Sequence, residues 1–385
     1  MTHKKPLEGL KVLELARVLA GPWAGQLLSD LGAQVIKIES PFGDETRNWG
    51  PPFIGEDSSA YFQSTNRGKK SVIANFKNQS DCNLVRELAI RADVIIENFK
   101  VGGLKQYNLD YSSIKLVNSA VIYCSITGFG QTGPYANRPG YDFIIQAMGG
   151  IMDLTGDQGG EPQKPGVAYA DLFTGLYSVV AIQSALLSRE VTGNGTHIDM
   201  SLFDTQLGVL ANQGASYLNT GVSPTRMGNE HPVIVPYQKF ETKDGSIIIA
   251  CGNDNQFKNL CKALGWSLHE EKRYSNNKSR VLNRKKLIPI MKERLVRLSK
   301  STTLSALEKF GVPSGAINSV EEALNDKQAR HRKIVHDIEG VPAIRTPIIF
   351  DSLSLKYNHA APKLGQHTAE IKSKISNSEF WKNEN

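Results

Sequence analysis

The sequence predicts an α/β protein: a doubly wound parallel sheet covered by helices, with a smaller α+β domain set into the chain. Three observations carry this. Short β-like apolar runs alternate with helical patterns through the first half of the chain. A polar crossing then leads into a different pattern, a hairpin followed by helices. The 385 residues are enough for two domains and a large core.

Leu10–Leu15 alternates as a strand. Arg17-Val-Leu-Ala-Gly-Pro22 is a turn, and Pro22 suits the first position of the next helix, Trp23–Leu31, which Gly32 ends. Gln34–Glu39 is the second strand, completing a strand–helix–strand unit. Ser71–Phe76 is a strand, Asp81–Ala92 a helix, Asp93–Phe99 a strand, Tyr111–Asn118 a short helix and Ala120–Thr127 a strand. After the glycine-rich loop Gly128–Pro134, a polar stretch from Gly156 to Gly166 delivers the chain to Asp171. An apolar helix from about Leu172 to about Arg189 follows, then the strand Thr196–Ser201 and a helix over Leu202–Leu218. Asn219–Pro232, rich in Gly, Asn and Pro, is an interdomain crossing. Tyr237–Thr242 and Ser246–Ala250 are joined through Lys243-Asp-Gly245 as a hairpin. Phe257–Leu264, Arg284–Ser299 and Thr303–Phe310 are helical, and Pro313–Asn318 is a further strand. The expected division is 1–221 for the first part of a large, Rossmann-like domain, 222–318 for a small domain, and 319–385 for a return crossing that completes the large one.

Hydrophobic residues at 40% and charged residues at 22% are ordinary for a globular protein. No apolar run reaches the length of a bilayer span, so no membrane partner is expected. The N-terminus MTHKKPLEGLKVLEL reads as the lead into a strand rather than a signal peptide. Cys82, Cys124, Cys251 and Cys261 are scattered without a CxxC pair, so neither a disulfide framework nor a metal site is expected, and cytoplasm is the expected compartment. The net charge of +7 suits either nucleic acid or an anionic, phosphate-bearing small molecule. The basic residues are dispersed and carry no nucleic-acid module, which favours the small molecule.

Glu39 ends the second strand where a dinucleotide domain places its ribose-binding acid, but the first turn offers only Gly21 and Gly25, not GxGxxG. A nicotinamide enzyme is disfavoured on that ground. No GxSxG is present, and the histidines are scattered. Glu97-Asn-Phe99 ends a strand at the ligand-binding edge of such a sheet. His231 stands in the polar loop Gly228-Asn-Glu-His-Pro232, which is either a simple turn or part of a site. Asp171 has two compatible readings. It is an N-cap for the helix behind it, or a carboxylate nucleophile that the helix terminus keeps ionised.

Taken together, several segments resemble the class III CoA-transferases, the family of formyl-CoA and carnitine CoA-transferases. They are LKVLELARVLAGP (Leu10–Pro22), Val35–Glu39 with Gly43–Arg47, NRGKKS (Asn66–Ser71), ADVIIENF (Ala92–Phe99), GFGQTGPYANRPGYD (Gly128–Asp142), Asp171–Gly175, VPYQKFETKDG (Val235–Gly245) and LGQHT (Leu364–Thr368). The resemblance runs nearly the whole length in the family's order, and the last quarter looks most like enzymes of succinyl-CoA and other dicarboxylic acids.

The resemblance implies an interlocked homodimer that moves CoA from an acyl-CoA to a small carboxylic acid, with CoA as substrate and no permanently bound cofactor. It makes Asp171 the nucleophile, passing through an aspartyl anhydride and an aspartyl-CoA thioester. It implies CoA contacts at Val18, Leu19 and Ala20; at Ala74, Asn75, Phe76 and Lys77; at Asn98, Phe99, Lys100 and Gln106; and at Arg138, Pro139, Gly140, Tyr141 and Asp142. Leu19 stands where the family often has Gln, and Ser40 and Gln106 where it has a basic residue; Lys37, Lys105 and Arg138 are the available substitutes. For the second carboxylate of a dicarboxylic substrate the candidates are Arg17, Arg47 and the loop residues Gly228, Asn229 and His231. Racemases of the same fold carry His where Tyr141 stands, and tyrosine is a poor exchange base at neutral pH. That substitution favours transfer over racemisation, and a non-catalytic CoA-binding module is the remaining alternative.

Overall fold

In the computed structural model, which describes residues 4–55 and 57–375, six strands form one parallel sheet. In chain order the elements are β1 (Lys11–Glu14), α1 (Ala20–Asp30), β2 (Gln34–Glu39), α2 (Ala60–Asn66), β3 (Lys70–Ile73), α3 (Gln79–Ile90), β4 (Val94–Glu97), α4 (Tyr111–Lys115), β5 (Ile122–Thr127), α5 (Asp142–Met148), α6 (Ile151–Leu154), α7 (Tyr169–Thr192), β6 (Thr196–Ser201), α8 (Leu202–Gly208) and α9 (Ala211–Thr220). The strand order is β3-β2-β1-β4-β5-β6. The winding therefore reverses between β1 and β4, and a crevice is expected beyond their carboxyl ends.

Alternation along each strand builds two cores. Leu13, Ile95 and Tyr123 face one way and pack with Leu88 of α3 and Ile114 of α4. Val12, Val94 and Ile122 face the other way and pack with Leu28 of α1 and with Val179 and Ile182 of α7. Each fully buried aliphatic side chain of this kind contributes about 1.5–3 kcal/mol.

α1 starts three residues before Trp23. Pro22 falls inside its first turn, where a missing N–H still costs nothing. The helix expected over Leu202–Leu218 is two helices, α8 and α9, because Ala211 takes a left-handed φ of 47°. α7 is long and apolar enough to cross a membrane by length and composition, contrary to the expectation that no segment is. The polar residues along it hide this from a search for uninterrupted runs. Its buried side belongs to the core: Gly175 crosses α1 so closely that a Cβ there would lie 2.7 Å from the Ala20 carbonyl oxygen. Its other side exposes Leu176, Val180, Leu187 and Val191.

The described chain divides into two compact units. The first comprises the residues up to Met152, Lys164–Val222 and those from Arg332 onward; the second is Asp153–Gln163 with Ser223–His331. In the second unit β7 (Tyr237–Thr242), β8 (Gly245–Ala250) and, further along, β9 (Ser314–Ala316) form an antiparallel sheet in that order. α10 (Asp254–Ala263), α11 (Asn277–Leu282), α12 (Arg284–Leu295) and α13 (Lys300–Lys309) precede β9, and α14 (Val320–Asn325) and α15 (Lys327–His331) follow it. Phe240, Ile247, Phe257, Leu287 and Leu307 are among its core residues. The segment 153–163 joins this unit through Arg226, which pairs with Asp153, and through the Gly228 amide, which donates to the Gly156 carbonyl. Back in the first unit come the hairpin β10 (Val335–Ile338) and β11 (Val341–Ile344), and α16 (Thr368–Ile375), whose Ile371 enters the first core.

Candidate active site

A cavity of about 280 Å³ opens beyond the carboxyl ends of β1, β4 and β5, at the point where the sheet reverses. The turn after β1 supplies Arg17, Val18, Leu19 and Ala20 to its wall. The loop after β4 supplies Asn98, Phe99 and Lys100. Arg138, Pro139, Gly140, Tyr141 and Asp142 form a further side, and Asp171 completes it.

The turn after β1 is held in an unusual conformation. Val18 has φ 71°, which a β-branched residue adopts only under constraint. The constraint comes from two side chains. Asp44 accepts from the Val18 amide, and Asn98 brackets Arg17, accepting from its N–H at 3.0 Å and donating to its carbonyl at 2.7 Å. Asn98 thus lines the cavity while spending both ends of its amide on the turn.

Behind the turn lies a buried charge cluster. The Lys37 ammonium meets Glu14 at 3.1 Å and Asp44 at 3.0 Å, and Lys69 meets Glu14 at 2.7 Å. Burial alone would lower Lys37, but Asp44, Glu14 and Glu39 outweigh it and hold the ammonium above its usual range. For Lys69 burial wins, and its value falls to about 8. Gly25 belongs to this packing: a Cβ there would lie 1.8 Å from a Glu14 oxygen. It serves close packing rather than a phosphate.

Asp171 is in the first turn of α7, not at its N-cap; the cap is Ala168, which offers no side-chain acceptor. The cap interaction comes from another helix. Oδ1 of Asp142, the first residue of α5, accepts from the Ala170 amide at 2.9 Å and the Asp171 amide at 3.3 Å. Gln146 donates to the second Asp142 oxygen at 2.6 Å. Among the described residues no hydrogen bond or ion pair reaches the Asp171 carboxylate. The half-buried carboxyl is pushed up to about 7, first by desolvation and then by the negative charge of Asp142. The expectation that the helix terminus keeps this acid readily ionised is therefore corrected: Asp142 already occupies the terminus.

Other expected site residues fall elsewhere. Arg47 is buried and grips Glu39 through two 2.8 Å bonds, with its guanidinium 3.7 Å from the Phe62 ring centroid, so it has no free face for a substrate carboxylate. Lys37 is likewise consumed inside the protein and cannot stand in for a phosphate-binding residue. Ala74, Asn75, Phe76 and Lys77 follow β3 at the same edge of the sheet but do not line the cavity. Ala74 is core, and Phe76 packs on Phe99 and Tyr107. Gln106 also lies outside the cavity wall, donating to the Gly103 carbonyl. Gly228, Asn229 and His231 belong to the second unit. There His231 shapes a turn, its Nδ1 accepting from the Val233 amide and its ring packing on Tyr237.

Tyr61 of α2, which is not among the residues lining the cavity, was not singled out in the sequence. Burial raises its phenol to about 12, and the carboxylates of Asp171, Asp142 and Asp44 add to the effect. It is therefore a protonated hydroxyl within electrostatic reach of Asp171. No apolar periodicity marks its short helix, so the sequence offered no signal for it.

Fold and cavity define an α/β protein with a cavity at the switch point of its sheet and, in the wall, a carboxylate with no partner among the described residues. The family is narrower: the chain belongs to CoA-transferase family III, whose model matches residues 7–368, and it is a CoA-transferase. It is 50% identical to the succinate–glutarate CoA-transferase of Agrobacterium fabrum, over 97% of this chain and 96% of that one. It is 42% identical to the human succinyl-CoA:glutarate CoA-transferase, over 97% and 87%. A crystal structure of a CAIB/BAIF family protein from Brucella suis superimposes with a TM-score of 0.89 at 56% identity, covering 97% of this chain and all of that one (100%).

Proposed function

We propose that this protein transfers CoA from succinyl-CoA to a second dicarboxylic acid of glutarate type, with Asp171 as the covalent nucleophile. The observation that carries the chemistry is an Asp171 carboxylate without a partner in the wall of a switch-point cavity. The names of the relatives support the substrates.

Asp171 attacks the thioester carbonyl, the C–S bond breaks, and CoA thiolate leaves behind a mixed anhydride. The thiolate attacks the aspartyl carbonyl, expelling the donor acid and forming an aspartyl-CoA thioester. The acceptor carboxylate attacks that thioester and displaces the thiolate. The thiolate then takes the acceptor's acyl group and restores Asp171. Each bond broken is replaced by one of similar energy, so exclusion of water matters more than driving force. Developing oxyanions need preorganised donors, and the Arg17 and Val18 amides, spent on Asn98 and Asp44, are not among them. Arg17 and Arg138 are the cavity's guanidiniums, suited to anionic substrate groups. Arg17 is ion-paired with Glu45, so a substrate carboxylate would compete for it.

The exposed Leu176, Val180, Leu187 and Val191 on α7 support a homodimer, since a monomer rarely leaves such a face to water. Sedimentation across a dilution series should show no folded monomer.

The test is direct. Succinyl-CoA and carbon-13 glutarate should yield labelled glutaryl-CoA by mass spectrometry, and hydroxylamine should trap the peptide holding Asp171. Hydrolysis without labelled product, or transfer with no modification of Asp171, would overturn the reading.

A further inference from the structure

We propose that Asp142 is a positioning residue for Asp171: by taking the amide end of α7 from α5, it leaves the Asp171 carboxylate uncapped and free to face the acyl group. This rests on Asp171 being the nucleophile, and it departs from a role for Asp142 in holding CoA.

The geometry is specific. An acid in the first turn of a helix ordinarily relaxes toward the free backbone N–H groups. Here Oδ1 of Asp142 holds the Ala170 and Asp171 amides, so two of those donors are used. Gln146, fully buried one turn along α5, fixes the other oxygen. The Asp142 carboxylate therefore cannot turn into the cavity without breaking three hydrogen bonds, which disfavours it as a CoA ligand.

The second consequence is electrostatic. Asp142 puts a negative charge beside the nucleophile, adding to burial in making the Asp171 proton harder to lose. A more basic carboxylate is a better nucleophile once ionised and a poorer leaving group from the anhydride. Ionisable groups around Asp171 are Asp142, Tyr61 and Tyr141, with Arg17, Lys100 and Arg138 elsewhere in the cavity wall. Of these only Asp142 contributes to the raised value.

The Asp142→Asn protein separates geometry from charge. The new amide keeps an oxygen for the Ala170 and Asp171 amides. Its nitrogen would face Gln146, whose buried Oε1 has no hydrogen-bond partner among the described residues, so a flip of the Gln146 amide restores that contact. Expected is a folded enzyme whose acid limb of kcat/KM lies at lower pH than in the unaltered enzyme. Asp142→Ala loses the acceptor, and kcat should fall by about 10–100-fold with the KM for succinyl-CoA little changed. Trapping of the adduct on Asp171 should slow in parallel. If Asp142→Ala does not fold, the Asp142→Asn profile decides alone. An unmoved acid limb in Asp142→Asn, with a raised KM for succinyl-CoA, would assign Asp142 to CoA binding and overturn the proposal. Unchanged kcat and pH profile in both variants would reduce it to a helix cap and overturn it equally. Transfer by the unaltered enzyme with no adduct on Asp171 removes the nucleophile reading itself. A normal adduct with an unmoved profile removes only the role of Asp142.

Discussion

Glu14 and Asp171 are carboxylates of the same unit, and they are treated oppositely. Glu14, fully buried, meets two lysine ammoniums, Lys37 and Lys69. Asp171, half-buried, has no partner for its oxygens among the described residues, and the charge that acts on it beyond burial is that of another acid, Asp142. Glu39 repeats the Glu14 pattern with Arg47, Ser71 and the Asp44 amide. Buried charge that is ion-paired shapes the turn at Val18, whereas charge left unpaired is available for chemistry.

The largest test of this contrast is Asp171→Asn. Transfer should fall by at least ~10⁴-fold while binding of CoA and the fold persist. Steady-state rates on freshly checked, non-deamidated protein decide it, and retained activity would show that the unsatisfied acid is incidental.

The satisfied cluster should answer in stability instead. Lys37→Met leaves Glu14 and Asp44 without one of their cations. Urea unfolding should lose about 3–5 kcal/mol, as for breaking one partner of a buried pair. A neutral result would mean that water enters the cluster.

The pH profile comes next in size. Asp171 reacts only when ionised, and its value lies near 7. Activity should therefore drop about tenfold per pH unit below that point, following single-proton titration. A flat profile down to pH 5 would show a carboxylate at its ordinary value, and the contrast with Glu14 would vanish.

The smallest effect has an unusual sign. An acid whose value is raised in the folded protein destabilises it once ionised. That cost starts above the unfolded value near pH 4 and is complete above the folded value near 7. Asp171→Asn should thus be more stable than the unaltered protein at pH 8, by about 1–2 kcal/mol after allowing for solvent access, and equal to it below pH 4. For Asp44, whose value is lowered by Lys37 and Thr46 against the pull of burial, the stability is present above the ordinary carboxylate range and lost as pH falls through the depressed value. Melting temperatures of the two proteins at pH 4 and pH 8 measure the first effect, and the fall in melting temperature on acidification below pH 4 measures the second.

What the sequence by itself determined is the order of elements and the family. Period-two and helical patterns mark β1 through β6 and most of their helices, because alternation and amphipathic faces are local properties of the chain. The turn at Arg17–Ala20 and the loop at Asn98–Lys100 were legible because each directly follows a strand that could be read, and Asp171 because it opens a helix that could be read. Tertiary structure alone decided the partners. Arg47 pairs with Glu39 rather than with its chain neighbours Asp44 or Glu45, Lys37 disappears into the Glu14 cluster, and Asp142 caps a helix whose first turn lies 28 residues further along the chain. Charge carries no direction along a sequence. Which acid is neutralised and which is left free depends on distances of a few ångströms, and only the folded chain sets those.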